Sequence, residues 1–311
     1  MVHLPYFNEK NKNIKFGPSG DLCYFEGVKI ALAQFSPVLG DVARNLDLHL
    51  EHVEKARRAK ADLLVFPELS LTGYKLRDLV AETAQDTRSS RTFAALREAS
   101  RSLALVVGFV EETPRGKGLF YNSAAFLHEG SILHIHRKVF LPNSGMFEEM
   151  RFFAQGRTVR AFGTPWGRAG MLICRDFLHL NSHYLLFADG AEISITISAA
   201  PGRGVSEENG FATSRMWEGM GETISRVTTS FVVYCNRVGF EDGAAFAGGS
   251  FIFDPFGRCV ARAPYFDPDF LVADIDPADI RRARQSLTFK RDDKPEVTLA
   301  NLERIIQRDE D

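Results

Sequence analysis

The chain has 311 residues, of which 45% are hydrophobic, 25% charged and 11% aromatic, so it carries enough apolar side chains for a large folded core. A disordered chain is therefore excluded as the main state. Its 38 Lys and Arg side chains nearly balance its 40 Asp and Glu side chains, and the net charge of −2 argues against nucleic acid or an anionic membrane as the main partner.

Regular patterning starts near residue 28. Residues 1–27 are polar, contain several Gly and Pro residues and show no sustained period, so we predict an N-terminal extension there. Residues 28–35 follow a strand pattern. Asp41 is then placed to cap a helix whose apolar side chains recur at the helical period.

The next elements continue this alternation of strand and helix. A short buried strand is predicted at residues 63–66, a helix over 76–102, and a β-branched apolar strand at 103–110. Strands that alternate with helices in this way predict a layered α/β fold.

The second half of the chain adds strands, some of them antiparallel. Residues 122–128 and 131–138 flank Glu129-Gly130, a dipeptide typical of a hairpin turn. Further strands are predicted at 171–174, 192–197, 231–234, 249–253 and 271–275, with helices at 178–188 and 215–229. So many strands exceed one small open sheet, which favours two sheets packed face to face with helices outside.

The chain shows no internal boundary within its patterned part. No Pro/Gly-rich linker divides it after residue 28, so we predict one domain over residues 28–295 and a C-terminal tail at 296–311. No apolar run approaches the roughly 20 residues of a membrane-spanning helix, and the first residues do not resemble a secretory leader. We therefore expect a cytoplasmic protein.

One cysteine has a special setting. Cys174 ends the apolar strand at 171–173 and is followed by Arg175 and an apolar helical stretch. A strand, a turn and a helix in this order place a side chain at the carboxyl end of a sheet, facing backbone N–H groups. We expect this setting to lower the pKa of the thiol and to let the Arg175 N–H hold an oxyanion. The alternative is a buried core cysteine, which is common for this residue type.

Two charged residues also stand directly after apolar strands. Glu68 is a candidate general base, because a carboxylate in such apolar surroundings needs a partner or a proton. Lys138 precedes the apolar run at 139–141, which is unusual for a lysine. The alternatives are an exposed turn glutamate and a lysine whose head group reaches solvent at a strand end.

Glu68, Lys138 and Cys174, in this order and at these spacings, resemble the Glu-Lys-Cys triad of the nitrilase superfamily of carbon-nitrogen hydrolases. The likeness covers nearly all of residues 28–295 and is strongest to the glutaminase domain of glutamine-dependent NAD synthetases. Its segments are 65–74 (VFPELSLTGY), 138–153 (KVFLPNSGMFEEMRFF), 170–176 (GMLICRD) and 248–254 (GGSFIFD). It implies an α/β fold, the αββα four-layer sandwich of the nitrilase type, that associates into dimers or larger homo-oligomers.

The resemblance also implies catalytic roles. Cys174 would attack an amide carbonyl, and Glu68 would serve as base, then acid, then base again. Lys138 and the Arg175 N–H would stabilise the oxyanion. Glu149 matches a second glutamate that the family places beside the lysine, and its neighbour Glu148 is the alternative, expected to be a solvated helix residue. No metal and no organic cofactor is implied.

Two departures from the pattern concern the substrate. NAD synthetase domains usually carry Glu after the nucleophile and Tyr at a position in the lysine loop, where this chain has Arg175 and Ser144. Ser198 and Arg203 follow a strand at the same sheet edge, and arginine can bind a carboxylate through two hydrogen bonds. The alternative for Arg203 is a surface loop arginine. We therefore take Arg175, Ser144, Ser198 and Arg203 as candidate substrate-binding residues.

The expected function is that of an amidase which hydrolyses a small linear amide through a Cys174 thioester, with a glutamine-like ω-amide as one substrate. A hydrolase of N-carbamoyl or aliphatic amides is the alternative. A non-catalytic or ammonia-supplying subunit of a separate synthetase is an alternative of another class. Expected partners are the small-molecule amide and further copies of the chain, and neither nucleic acid nor a membrane.

Overall fold

The computed structural model describes residues 14–16, 22–24, 27–202, 205–206 and 210–308, with the backbone alone for 14–16, 22–24, 205–206 and 210–213. The strands are β1 Ile14–Phe16, β2 Leu22–Tyr24, β3 Val28–Gln34, β4 Leu63–Val65, β5 Ala104–Glu112, β6 Phe120–His128, β7 Ser131–Arg137, β8 Ala161–Thr164, β9 Gly167–Ile173, β10 Ile193–Ser198, β11 Val205–Ser206, β12 Gly210–Phe211, β13 Phe231–Asn236, β14 Val238–Glu241, β15 Ala244–Ala247, β16 Phe251–Phe253, β17 Cys259–Arg262 and β18 Asp269–Ile275. The α-helices are α1 Val42–Arg58, α2 Val80–Thr83, α3 Arg91–Ala99, α4 Glu149–Phe152, α5 Leu180–Ala188, α6 Ala212–Thr228, α7 Ala278–Ser286, α8 Phe289–Asp292 and α9 Pro295–Arg308, with 3-10 helices at Arg77–Leu79 and Cys174–Leu178.

Two six-stranded sheets form the middle of the fold. The first has the strand order β18-β3-β4-β5-β6-β7 and the second β17-β16-β13-β10-β9-β8. Strands β3, β4 and β5 are parallel, and so are β9, β10 and β13, whereas the remaining neighbours pair antiparallel. Side chains that follow parallel strands collect at one edge of a sheet, where ligand sites of α/β folds lie.

Alternation along β3 explains how the layers form. Ile30 and Leu32 belong to the core between the sheets, to which β10 contributes Ile195, while Ala31 and Ala33 pack with the side chains of α1 and α3. Helices α5 and α6 cover the outer face of the second sheet and add their own side chains to its core. The layers therefore run helix, sheet, sheet, helix, which confirms the predicted four-layer αββα sandwich.

Local signals at two turns are confirmed. The Asp41 side chain accepts a hydrogen bond from the Arg44 N–H at 2.9 Å and so caps α1. Glu129 and Gly130 connect β6 to β7 with φ angles of +49° and +74°, the left-handed pair that matches the twist of a two-residue hairpin.

The single helix predicted over residues 76–102 is wrong in its middle. Helix α2 ends at Thr83, and α3 begins only after Ser90, whose side chain caps it. Between them Gln85 pairs with the edge of β5, where its N–H donates to the Val110 carbonyl at 2.9 Å. Backbone pairing with the sheet thus overrides the helical pattern of the local sequence.

The described elements nearest the two ends of the chain are not strands of the two central sheets. Strands β1 and β2 pair antiparallel within the predicted N-terminal extension. The predicted C-terminal tail contains helix α9, whose residues are all at least partly exposed. Over the described ranges, no helix is both long and apolar enough to span a bilayer.

Candidate active site

Four of the predicted side chains meet at the carboxyl edge of the sheets. Glu68 follows β4, Lys138 follows β7, and Cys174 follows β9, while Glu149 is the first residue of α4. All four are buried, and the side chains of Glu68 and Lys138 are 0% exposed. The fold therefore brings together the four residues to which the resemblance gave catalytic roles.

Lys138 joins the two carboxylates of this set. Its Nζ lies 2.7 Å from Glu68 Oε1 and 2.7 Å from Glu149 Oε1. Burial alone would lower the pKa of Lys138, but the charges of Glu149 and Glu68 outweigh burial and raise it above its ordinary value. The ammonium stays charged, and no described residue accepts from its third N–H group.

Glu68 is fixed by donors from three directions. Besides Lys138, the Asn122 Nδ2 donates to Oε1 at 2.7 Å, and the Ala199 N–H donates to Oε2 at 2.7 Å. Three hydrogen bonds leave the carboxylate with one orientation, close enough to Cys174 for its charge to raise the pKa of the thiol. Asn122 was not singled out from the sequence, because its partner is 54 residues away along the chain.

A glycine supports the loop that carries Glu68. A Cβ at Gly108 of β5 would lie 2.5 Å from the Leu69 nitrogen and 2.5 Å from the Pro67 oxygen. Leu69 itself has a left-handed φ of +47°. The loop therefore turns tightly against β5 at a distance that only glycine allows.

Glu149 is desolvated and incompletely paired. Tyr74 donates its hydroxyl to Glu149 Oε1, which also accepts from Lys138. Burial raises the pKa of Glu149 to about 7; the positive charge of Lys138 opposes this rise and the negative charge of Glu68 adds to it. Among the described residues its second oxygen, Oε2, has no hydrogen-bond partner and is available to a ligand.

Cys174 sits in a strained turn. It has a left-handed φ of +43° and is 6% exposed, directly where β9 gives way to a 3-10 helix. Burial raises the pKa of its thiol to about 12, Glu68 acts in the same direction, and Lys138 and Ser198 oppose it. The expectation that a helix start lowers this pKa is wrong, because the helix has only five residues and loss of solvent dominates.

Asp176 connects the loops of Lys138 and Cys174. Its carboxylate accepts from the N–H groups of Val139 at 3.0 Å, Phe140 at 2.8 Å and Ile173 at 3.1 Å. His136 Nε2 lies 2.8 Å from the same carboxylate. Sequence reasoning missed this residue; its one visible signal was an acidic side chain two residues after the nucleophile, in an apolar segment.

A cavity of about 150 Å³ opens above the thiol. Its lining is apolar apart from Cys174 and Arg175, and it comprises Pro142, Phe147, Cys174, Arg175, Leu178, Ala200, Pro201, Met216 and Trp217. The small volume fits a small ligand.

The candidate substrate-binding residues lie in different places. Arg175 is exposed and lines the cavity. Ser198 is buried beside Cys174 and Tyr234, and it affects the pKa of both. Ser144 is exposed and is not part of the described lining, and Arg203 lies outside the described residues. The structure thus brings two of the four candidates to the thiol.

Comparison with known proteins gives one consistent result. The Carbon-nitrogen hydrolase family model matches residues 29–285. The glutamine-dependent NAD(+) synthetase of Acinetobacter baylyi is 32% identical over 248 residues, which are 80% of this chain and 44% of that protein. The chain therefore spans less than half the length of this relative.

Solved structures show the same likeness. The glutamine-dependent NAD+ synthetase from Acinetobacter baumannii, in complex with ADP, superposes with a TM-score of 0.73 at 31% identity, covering 81% of this chain and 46% of that one. An amidase from Nesterenkonia sp. superposes with a TM-score of 0.70 at 24% identity, covering 88% of this chain and 96% of that one. The second likeness concerns the fold.

Proposed function

Because the chain belongs to the carbon-nitrogen hydrolase family, we propose that it is an amidase that hydrolyses a small linear amide through a thioester on Cys174. One observation carries this proposal. A buried lysine between two buried carboxylates lies beside a strained, nearly buried thiol at the floor of a cavity. Keeping three such charges out of water is costly, and a chemical role accounts for it.

The first step is attack on the amide. The Cys174 sulfur bonds to the carbonyl carbon while its proton passes to Glu68, so no free thiolate has to exist in the buried site. The carbonyl oxygen becomes an oxyanion, which the remaining Lys138 N–H and the Arg175 backbone N–H stabilise. A raised thiol pKa suits this order of events, because the proton leaves only as the carbon-sulfur bond forms.

The second step releases ammonia. The carbon-nitrogen bond breaks as Glu68 returns its proton to the departing nitrogen, which leaves a thioester on Cys174. The free oxygen of Glu149, Oε2, is a suitable acceptor for the amide NH₂ before it leaves.

The third step restores the enzyme. Water attacks the thioester carbon and gives a proton to Glu68, and the carbon-sulfur bond breaks as that proton returns to the Cys174 sulfur. The net change is one amide and one water converted to one carboxylic acid and one ammonia. No step needs a redox partner.

Two substrate groups are compatible with this chemistry. Similarity to glutamine-dependent relatives favours a glutamine-like ω-amide. The apolar cavity lining favours an aliphatic acyl chain, including that of a simple or N-carbamoyl amide. A purely structural subunit is disfavoured, because Lys138 pairs with both Glu68 and Glu149, and the charges of all three act on the Cys174 thiol.

The test is ammonia release from a panel of glutamine, asparagine, aliphatic amides, dicarboxylic monoamides and N-carbamoyl amino acids. We expect turnover of at least one class, lowered about 10³-fold or more in Cys174→Ala. Cys259→Ala is the matched control, since Cys259 is exposed on β17 and remote from the cavity lining. Unchanged rates in Cys174→Ala would contradict the proposal.

A further inference from the structure

Among the described residues that line the cavity above Cys174, Arg175 is the only one with a charged side chain. Leu178, Met216 and Trp217 contribute apolar surface. Arg175 also lines the cavity and is exposed to solvent. Arg175 forms no hydrogen bond or ion pair with any residue that the structure describes. Arg175 is therefore a cation at the cavity, and no described residue accepts a hydrogen bond from its guanidinium.

The size of the cavity limits the acyl group. A volume of about 150 Å³ is that of an apolar cavity that holds benzene, which corresponds to about six non-hydrogen atoms. The reacting carbonyl must reach the Cys174 sulfur, so the rest of a short linear acyl chain extends along the apolar wall. Its far end then lies where the cavity meets solvent.

The charges of the cavity lining determine which chemical group is favoured at the far end of the acyl chain. An anion gains from Arg175, and because Arg175 is exposed, a carboxylate there keeps part of its water and avoids the cost of full burial. A cation has no acidic side chain to pair with in the described lining. Glutamine carries an ammonium beside its carboxylate and is therefore a poorer match than an acid without one.

Given the amidase activity proposed above, on which this step rests, we propose that the substrate is the monoamide of a short dicarboxylic acid, with no ammonium group, and that Arg175 binds its free carboxylate. The scissile amide lies at Cys174 and the carboxylate at Arg175. The products are ammonia and the dicarboxylic acid.

The experiment compares two amides of nearly equal shape. Glutaramate, the monoamide of glutaric acid, carries a carboxylate, and glutaramide, its diamide, carries a neutral group in the same place. We expect kcat/KM for glutaramate to exceed that for glutaramide by about 10- to 100-fold, the range of a hydrogen bond between charged groups. Raising the ionic strength should reduce this ratio, because the pair is partly exposed.

Variants assign the preference to one residue. Arg175→Gln should bring the ratio close to one, and Arg175→Glu should invert it and favour 5-aminopentanamide, whose far end is an ammonium. Arg101→Gln is the matched control: it removes the same charge from an exposed site just beyond α3, in the opposite outer layer, and should leave the ratio unchanged.

Each outcome has one meaning. A high ratio that disappears in Arg175→Gln supports the assignment. Equal kcat/KM for glutaramate and glutaramide, or faster turnover of glutamine than of glutaramate, overturns the substrate class while the amidase activity stands. Absence of ammonia release from every amide overturns the proposed function and the substrate class with it.

Discussion

The chemistry at the scale of single residues depends on the charges around Lys138. Two carboxylates share one ammonium, and the thiol beside them is kept neutral by burial. Both oxygens of Glu68 accept hydrogen bonds from the protein, whereas no described residue donates to Glu149 Oε2. This asymmetry supports the proposed division of roles, with proton transfer by Glu68 and substrate contact by Glu149.

Tyr74→Phe tests this charge balance through the pH profile. The pKa of Glu149 is about 7, and the hydrogen bond from Tyr74 favours its ionised form. If catalysis needs ionised Glu149, kcat/KM falls as pH drops through about 7. Removing the Tyr74 hydroxyl raises the pKa further, so we expect this acid limb to move to higher pH by about one unit.

The control for this measurement is Tyr184→Phe on α5, whose hydroxyl bonds to Asp293 and Thr298 away from the site. It should leave the acid limb in place. An acid limb that stays put, or moves to lower pH, in Tyr74→Phe would show that Tyr74 does not stabilise the ionised carboxylate.

The sequence was informative about those residues whose role follows from their place in an element. Glu68, Lys138 and Cys174 each stand directly after an apolar strand, so their common edge was predictable. Asn122 reaches Glu68, and Asp176 reaches the N–H groups of Val139 and Phe140, through contacts that the fold creates. No local pattern encodes such pairs, because the hydrogen bonds join segments that are distant in the chain.

At the scale of elements, close packing of loops against strands positions the reacting groups. Hairpins and caps were predictable, since their φ angles and hydrogen bonds are set by neighbouring residues. The break between α2 and α3 was not, because it depends on pairing of Gln85 with β5. The role of Gly108 was not predictable either, because it depends on the backbone of Pro67 and Leu69 that packs against it.

Gly108→Ala tests the packing of the Glu68 loop. The added Cβ would overlap the backbone of Pro67 and Leu69 and displace Glu68, so we expect kcat/KM to fall about 100-fold or more and stability to fall by about 1–3 kcal/mol. Steady-state kinetics and thermal unfolding measure the two effects. Gly163→Ala on β8 is the control, because a Cβ there meets nothing within 4 Å. Full activity in Gly108→Ala would contradict the tight support of Glu68.

At the scale of the whole molecule, the four-layer sandwich buries polar groups as well as apolar ones. His49 of α1 is fully buried in the outer layer, with its ring nitrogens 2.6 Å from the Asn45 carbonyl and 2.9 Å from Ser70 Oγ. The layering itself was predictable from strand count and periodicity. The homo-oligomer stays a prediction, and exposed apolar side chains such as Leu299 and Ile306 on α9 are the surface to examine first.

His49 gives the fold a sensitivity to acid. Burial lowers its pKa from 6.5 to about 3, so the unfolded chain takes up a proton below pH 6.5 while the folded chain does not until near pH 3. The stability associated with neutral His49 is present above pH 6.5 and is lost as pH falls, by up to about 1.4 kcal/mol per pH unit. Urea unfolding between pH 6.5 and 4 should show a smaller slope in His49→Gln, and an equal slope would contradict this assignment.

The thioester on Cys174 is the central claim, and acid-quenched mass spectrometry during turnover tests it most directly. With a turned-over amide, we expect the peptide that contains Cys174 to gain the mass of the acyl group, and added hydroxylamine to convert that acyl group to its hydroxamate. Ammonia released steadily while this peptide stays unmodified at every quench time, with no hydroxamate formed, would contradict the account.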